Sequence, residues 1–202
     1  MKLVIGLGNP GEEYRQTRHN LGYLAVEAFC RRRRLRFRGR RCRARIARGR
    51  LGGEEILIAE PETYMNLSGE AVGCLVDACA ASPSDLVVVC DDAAIALGSL
   101  RVRPSGSDGG HRGLRSIHEA LGTADFARIR IGIRTAPVAG GDLAQEVLAP
   151  FSSEEREIVS RLVEQAADCI DLILEKGVVA AMNRFNRRQP RDPDGPGRGP
   201  VR

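Results

Sequence analysis

The sequence predicts a single α/β domain, in which a mixed, mostly parallel twisted sheet is flanked by helices. Strand and helix patterns alternate along the chain, and most strands are short, uninterrupted apolar runs, which is typical of a sheet covered on both faces. The length of 202 residues suits one domain with its own core. We expect this domain to span residues 1–188, followed by a disordered tail, residues 189–202, composed mainly of Pro, Gly, Arg and Asp.

Strands and helices are predicted from the spacing of apolar residues. The first helix starts near Asn20, the second follows Asn66 or Ser68 as its N-cap, and the third contains Leu114. The strands are predicted at residues 3–6, 56–60, 86–90 and 127–133. Because ligands of open α/β sheets bind beyond the carboxyl ends of the strands, the polar residues that follow these strands are expected to share one cleft.

The longest predicted helix starts at Ser152, where Glu155 completes a capping box, and Gly177 closes it. A short helix over residues 178–185 is expected to follow. The buried face of the long helix is predicted to contain Ile158, Leu162, Val163, Ala166, Ile170 and Ile173.

The net charge of +5 is unevenly distributed. Residues 31–50 contain 12 arginines and no acid, and the rest of the chain is acidic overall. Within this arginine block, Arg41, Arg43 and Arg45 alternate with apolar residues, which predicts a strand with one charged face. We favour an RNA-facing surface for the block. The alternative is a solvated edge strand.

Six cysteines are scattered along the chain without a Cys-x-x-Cys pair. Their spacing favours free thiols that act as small buried hydrophobes over a zinc site or a disulfide. No apolar run approaches the roughly 20 residues of a spanning helix, and the chain passes from Met1 almost directly into a strand. We therefore expect a soluble, cytoplasmic protein without a signal peptide.

The glycine turn at residues 6–11, GLGNPG, has the spacing of a dinucleotide-binding fingerprint. That motif also needs an acid roughly 20 residues on, at the end of a second strand. Glu27 is near this distance but falls within the first predicted helix. A nicotinamide-dependent oxidoreductase, with arginines from residues 31–34 on an NADP phosphate, is therefore a remote alternative.

His19 and Asp91 predict a hydrolytic site. Asp91 follows an apolar strand, so its carboxylate is placed to accept a hydrogen bond from one ring nitrogen of His19 and leave the other nitrogen to take a proton from water. A metal held by Asp91, Asp92 and His111 is disfavoured, because adjacent residues of a strand point to opposite faces. We expect no metal and no cofactor.

Several segments carry a family resemblance. The glycine turn, YRQTRHNLG at residues 14–22, PETYMNLSG at residues 61–69 and FARIRIGI at residues 126–133 resemble bacterial-type peptidyl-tRNA hydrolase. The likeness extends over residues 2–185 in the same order. It implies a monomeric α/β enzyme, acting without a cofactor, that hydrolyses the ester between a peptide and the 3′ ribose of tRNA.

The resemblance also implies roles for individual residues. His19 is the general base toward water, and Asp91 orients it. Arg103 and Arg130 face the acceptor stem of tRNA, and Asn20, Arg101 and Arg134 are weaker candidates for RNA contact. The substrate is held by Asn9, Tyr14, Met65 and Asn66.

The chain departs from the family pattern at three places. Arg112 stands where an asparagine is usual, Glu60 where a lysine is common, and Ala93-Ala94 where Leu-Asp is usual. We keep Arg112 as a substrate-binding candidate, toward a phosphate or the oxyanion. Because Arg112 and the arginine block add positive charge, an RNA-binding relative with impaired catalysis is the alternative function.

Overall fold

Seven strands form one mixed sheet in the part of the chain that the computed structural model describes, residues 1–135 and 147–186. The strands are β1 Lys2–Gly6, β2 Gly39–Arg41, β3 Ala44–Leu51, β4 Glu54–Pro61, β5 Leu86–Ala96, β6 Leu100–Arg103 and β7 Ala127–Arg134. The helices are α1 Leu21–Arg32, α2 Ser68–Ala78, α3 Arg112–Leu121, α4 Ser153–Lys176 and α5 Val178–Phe185. The predicted tail, residues 189–202, lies outside the described residues.

The strand order is β2-β3-β4-β1-β5-β7-β6. The four strands predicted from the sequence are the parallel centre, β4, β1, β5 and β7, and the edge strands β2, β3 and β6 pair antiparallel with their neighbours. The predicted fold class is therefore confirmed. Because the central strands are parallel, the loops after β1, β4 and β5 meet at one edge of the sheet.

Both faces of the sheet are covered, each by its own apolar cluster. Helices α1, α4 and α5 pack on one face, and α2 and α3 pack on the other. Gly22 allows α1 to lie directly on the sheet, because a Cβ there would be 2.4 Å from the backbone of Leu7 and Val89. Within the described residues, no helix is long and apolar enough to cross a membrane.

Two helix predictions need correction. In α4 the capping box of Ser152 and Glu155 is present as predicted, but Ile158 is exposed and its neighbour Val159 is buried. Both positions have helical spacing to Leu162, so the pattern alone could not choose between them. Helix α2 begins at Ser68 without a side-chain N-cap, and the Ser68 hydroxyl donates instead to the Met65 carbonyl at 2.8 Å.

The predicted single strand through residues 41–46 is wrong. Strands β2 and β3 form a hairpin whose two turn residues, Cys42 and Arg43, have φ angles of 53° and 55°. Such turns are usually marked by Asn-Gly or Asp-Gly, and neither dipeptide occurs here. The alternation of arginine with apolar residues therefore continues through the turn, and no dipeptide marks the turn in the sequence.

The prediction that the cysteines form no disulfide is also wrong. Cys42 in the hairpin turn is bonded to Cys74 of α2, with their Cα atoms 5.6 Å apart. The two residues are separated by 32 positions, and no local motif marks them as a pair. Cys30, Cys90 and Cys169 are free and buried, as predicted.

Half of the arginine block is neutralised within the described part of the protein. Three arginines at the end of α1 pair with acids of α4: Arg31 with Glu164, Arg32 with Glu164 and Asp168, and Arg33 with Asp171 and Glu175. Three more pair near the hairpin: Arg40 with Glu62, Arg43 with Glu70, and Arg45 with Glu27 and Glu60. Arg34, Arg36, Arg38, Arg48 and Arg50 are exposed and make no ion pair with the described residues.

The strand register places some of these unpaired arginines far from the edge of the sheet where the loops after β1, β4 and β5 meet. Ala44 of β3 lies beside Pro61, at the carboxyl end of β4, whereas Arg50 lies beside Glu55, at its amino end. The paired residues Arg43 and Arg45 of the hairpin are therefore nearest to the carboxyl ends of the parallel strands, and Arg48 and Arg50 lie toward the opposite end.

Candidate active site

A cavity of about 450 Å³ opens at the edge where the central parallel strands end. Seven of the predicted site residues line it: Asn9, His19, Met65, Asn66, Asp91, Arg112 and Arg130. Two others, Tyr14 and Arg103, are not among the described residues that line this cavity. Tyr14 lies in a 3-10 turn, Glu12–Tyr14, and Arg103 ends β6.

At the base of the cavity, one carboxylate oxygen binds two histidines. Oδ1 of Asp91 is 2.7 Å from Nδ1 of His19 and 3.0 Å from Nε2 of His111. The predicted contact between His19 and Asp91 is therefore confirmed, and His111 is an additional member. All three side chains are largely buried, with 12%, 2% and 8% exposed for His19, Asp91 and His111.

The hydrogen bonds of His111 fix the positions of the protons. Its Nδ1 accepts the backbone N–H of Leu114 at 3.2 Å, as the N-cap of α3, so the ring proton lies on Nε2 and is donated to Asp91. His19 donates from Nδ1 to the same oxygen. The Nε2 atom of His19 is then left as an acceptor.

The Asp91 carboxyl remains ionised although it is buried. Burial raises its pKa, but the interactions with His111 and His19, each of which donates a hydrogen bond to it, outweigh this effect and hold the pKa well below the usual range. Asp91 belongs to β5, a central strand of the sheet, so its position is rigid. An ionised carboxylate here stabilises a positive charge on His19 when the ring takes up a proton.

The ligand atoms of His19, Asp91 and His111 lie within 4.8 Å of one another, so this cluster, within the described residues, is the one able to hold a metal ion. It differs from the set considered from the sequence, which contained Asp92. Asp92 is engaged elsewhere, with Oδ2 2.8 Å from Nε of Arg130 and Oδ1 accepting the backbone N–H of Ala94. The two adjacent carboxylates therefore have separate partners.

Asn9 is held in place from both sides. The Asn20 side chain accepts the backbone N–H of Asn9 at 2.8 Å and donates to its carbonyl at 3.0 Å. The Oδ1 atom of Asn9 accepts the backbone N–H of Met65 at 2.8 Å. Asn20 is buried, so this candidate for RNA contact stabilises the loop after β1, and the Asn9 side chain joins that loop to the loop after β4.

Arg128 is a supporting residue that the sequence analysis missed. Its guanidinium is buried and donates to the carbonyls of Gly106, Ser107 and Ala124 at 2.6, 3.1 and 2.8 Å. The first two carbonyls belong to the loop that leads to His111. An arginine at the start of a central strand was the available signal, because a buried guanidinium must find several acceptors.

The structure contradicts the dinucleotide-binding alternative. A fingerprint glycine turn leads directly into a helix whose amino end binds the pyrophosphate. Here α1 begins at Leu21, and two 3-10 turns lie between Gly11 and that helix. The glycine turn therefore does not lead directly into α1, and Asn9 follows β1 at the cavity.

Comparison with known proteins agrees with the geometry. A sequence profile described as peptidyl-tRNA hydrolase matches residues 3–193. The chain is 45% identical over 192 residues to the peptidyl-tRNA hydrolase of Roseiflexus castenholzii, covering 95% of this chain and 89% of that protein. It is 40% identical over 188 residues to the peptidyl-tRNA hydrolase of Aquifex aeolicus, with 93% and 97% covered.

A solved structure gives the same result. The crystal structure of peptidyl-tRNA hydrolase from Acinetobacter baumannii matches with a TM-score of 0.85 and 31% identity, covering 92% of this chain and 94% of that one. The family resemblance predicted from the sequence is therefore confirmed over nearly the whole chain. The chain belongs to the peptidyl-tRNA hydrolase family.

Proposed function

We propose that this chain hydrolyses the ester bond between a peptide and the 3′ ribose of tRNA, releasing free tRNA and peptide. The observation that carries the proposal is the hydrogen-bonded group of His19, Asp91 and His111 at the base of the cavity. The group supplies one neutral imidazole nitrogen, backed by a buried carboxylate, which suits removal of a proton from water.

In the proposed reaction, Nε2 of His19 takes a proton from water while the water oxygen attacks the ester carbonyl carbon. The positive charge that develops on the ring is stabilised by Asp91. The tetrahedral intermediate then breaks its bond to the 3′ oxygen, which receives the proton from His19. Asn9 and Asn66 line the same cavity, and an amide donor aimed at the oxyanion contributes about 3 kcal/mol to such a reaction.

We assign the tRNA end of the substrate to the arginines near the cavity. Arg130 lines it, and Arg103 lies on β6, the strand paired with β7. Arg112 is the first residue of α3 and lines the cavity with an exposed side chain. Phosphate contacts of this kind recognise the shape of an RNA and carry little sequence information. We further propose that the protein acts as a cytoplasmic monomer.

The activity is tested by release of labelled peptide from peptidyl-tRNA in the presence of a metal chelator. We expect multiple turnovers by the natural chain. If it binds the substrate tightly without releasing peptide, the proposal fails and the RNA-binding relative with impaired catalysis is the better interpretation.

We predict that Arg112→Asn raises KM for peptidyl-tRNA about fivefold and changes kcat less than about twofold. An exposed cation contributes mainly to the binding of a phosphate, and this contribution is the same in the ground state and in the transition state. Steady-state kinetics at low salt check this prediction. Arg115→Asn, on the same helix but paired with Asp108, is the control and should leave KM unchanged. A loss confined to kcat would instead place Arg112 at the oxyanion.

We predict that Arg103→Ala weakens tRNA binding and reduces its salt dependence. Each lost phosphate contact lowers the slope of log K against log salt by about 0.7 to 0.9. Fluorescence anisotropy with labelled tRNA at four salt concentrations measures the slope. Arg36→Ala, an exposed arginine of the arginine block, serves as the control. Equal losses for both variants would favour the arginine block as part of the RNA surface.

A further inference from the structure

The hairpin turn between β2 and β3 is fastened to α2 by three neighbouring contacts. Cys42 is joined to Cys74, the Arg41 guanidinium donates to the carbonyl of Ala78 at 2.9 Å, and Arg43 pairs with Glu70. The hydrogen bond of Arg41 and the ion pair of Arg43 do not depend on the bond between the two sulfur atoms. We therefore expect them to keep the two cysteines close together when both are thiols.

The geometry and exposure of this pair suit reversible chemistry. The Cα separation of 5.6 Å lies in the ordinary range for a disulfide, so the backbone need not move to form or break it. Cys74 is exposed and Cys42 is half-buried, so a small thiol or disulfide reaches Cys74 first. Thiol–disulfide exchange requires such access.

Three of the other cysteines are unsuited to this chemistry. Cys30, Cys90 and Cys169 are buried in the core, and burial raises the pKa of the Cys30 and Cys169 thiols to about 12. Thiols that stay protonated are poor nucleophiles. Cys79 is free and half-buried near the end of α2, which makes it the matched control.

We propose that Cys42 and Cys74 form a redox site, oxidised by a small disulfide such as glutathione disulfide and reduced by thiols. The Cys74 thiolate attacks glutathione disulfide, forms a mixed disulfide and releases one glutathione thiolate. The Cys42 thiolate then attacks the Cys74 sulfur and releases the second glutathione. The protein loses two electrons and two protons, and the oxidant is reduced to two glutathione molecules.

The bond encloses the part of the chain that contributes to the cavity. Between Cys42 and Cys74 lie β3, β4 and the loop that carries Met65 and Asn66. The start of that loop is already tied to the hairpin, since the backbone N–H of Glu62 donates to the carbonyl of Arg43 at 2.7 Å. Oxidation therefore restricts this segment in the unfolded chain and stabilises the folded one.

The experiment compares the natural chain after treatment with glutathione disulfide and with dithiothreitol. One portion of each sample is denatured and alkylated, and its mass is measured by mass spectrometry. The midpoint of thermal unfolding is measured on a second portion. Of the six cysteines, we expect four to be alkylated after oxidation and six after reduction. We expect the oxidised form to unfold about 5 to 10 °C higher, given the length of the enclosed loop.

Variants identify the pair. Cys42→Ser should abolish the thermal shift and leave glutathione attached to Cys74, whereas Cys79→Ser should behave as the natural chain does. Six alkylated cysteines after oxidation would overturn the proposal. So would a disulfide between other cysteines in a peptide map, a stable glutathione adduct on Cys74 of the natural chain, or equal midpoints for its two redox forms.

Discussion

Replacing His19 with alanine is expected to lower kcat for peptide release by about 10²- to 10⁴-fold, the range of general-base catalysis. The variant keeps Asp91 and His111 in contact but has no ring nitrogen in position to take the proton from water. The dissociation constant for tRNA should change less than about threefold, because the arginines assigned to the RNA are not altered. Single-turnover release of peptide and tRNA anisotropy measure the two quantities separately.

The third histidine of the chain is the control for this substitution. His118 lies on α3, where its ring packs against Phe126 at 5.3 Å, and it does not line the cavity. His118→Gln should leave kcat unchanged. An equal loss in both variants, or full activity of His19→Ala, would contradict the assignment of His19 as the base.

The second large effect is expected at Glu60, whose stability contribution depends on pH. Its carboxylate is 1% exposed, and the described residues give it one close cation, Nη1 of Arg45, at 3.0 Å. Burial, together with the charges of Glu27 and Glu62, raises the pKa of Glu60 from 4.5 to about 8, although Arg45 opposes this. Between these two pH values the folded chain holds a proton that the unfolded chain has lost.

The free energy of unfolding of the natural chain should therefore fall as pH rises from about 4.5 to about 8. At about 1.4 kcal/mol for each pH unit, the decline attributable to Glu60 is at most about 5 kcal/mol. Glu60→Gln cannot titrate, so it should be clearly more stable than the natural chain at pH 8.5 and close to it at pH 5. Urea unfolding at the two pH values measures the difference.

Glu62→Gln is the control for this experiment. Glu62 is partly exposed, and its two carboxylate oxygens share the Nε–H of Arg40. Its replacement should change the free energy of unfolding at pH 8.5 much less than Glu60→Gln does, because an exposed ion pair contributes about 1 kcal/mol or less and the Glu62 charge is the smallest cause of the raised pKa of Glu60. Natural-chain stability that is the same at pH 5 and pH 8.5 would contradict the raised pKa of Glu60.

The centre of the fold was predictable because its signals are local. Strands β1 and β5 contain uninterrupted runs of apolar residues, and the capping box of α4 needs only Ser152 and Glu155. The contact of His19 with Asp91 was predictable from topology, since His19 follows β1 and Asp91 lies in β5 just beyond the end of β1, at the same edge of the sheet. These parts need no knowledge of distant contacts.

The missed parts depend on partners that are distant in sequence. The acids that neutralise Arg31, Arg32 and Arg33 lie more than 130 residues away, on α4. The Cys42–Cys74 pair requires the hairpin turn to be recognised first, and that turn lacks its usual residues. The sequence pointed to His111 as a candidate metal ligand, and its hydrogen bond to Asp91 follows from its position at the amino end of α3.

The two hydrogen bonds of His111 restrict which residues evolution can place at that position. The amino end of α3 needs an acceptor, which serine, aspartate or asparagine supplies in most helices. Asp91 needs a hydrogen-bond donor from the same side chain, on the opposite side of a rigid ring. A neutral imidazole meets both needs at once. The start of α3 thus fixes the tautomer of His111, with the Nε2 proton toward Asp91, before any substrate binds. Substitution of His111 by a residue chosen only as a better helix cap would remove this proton donor.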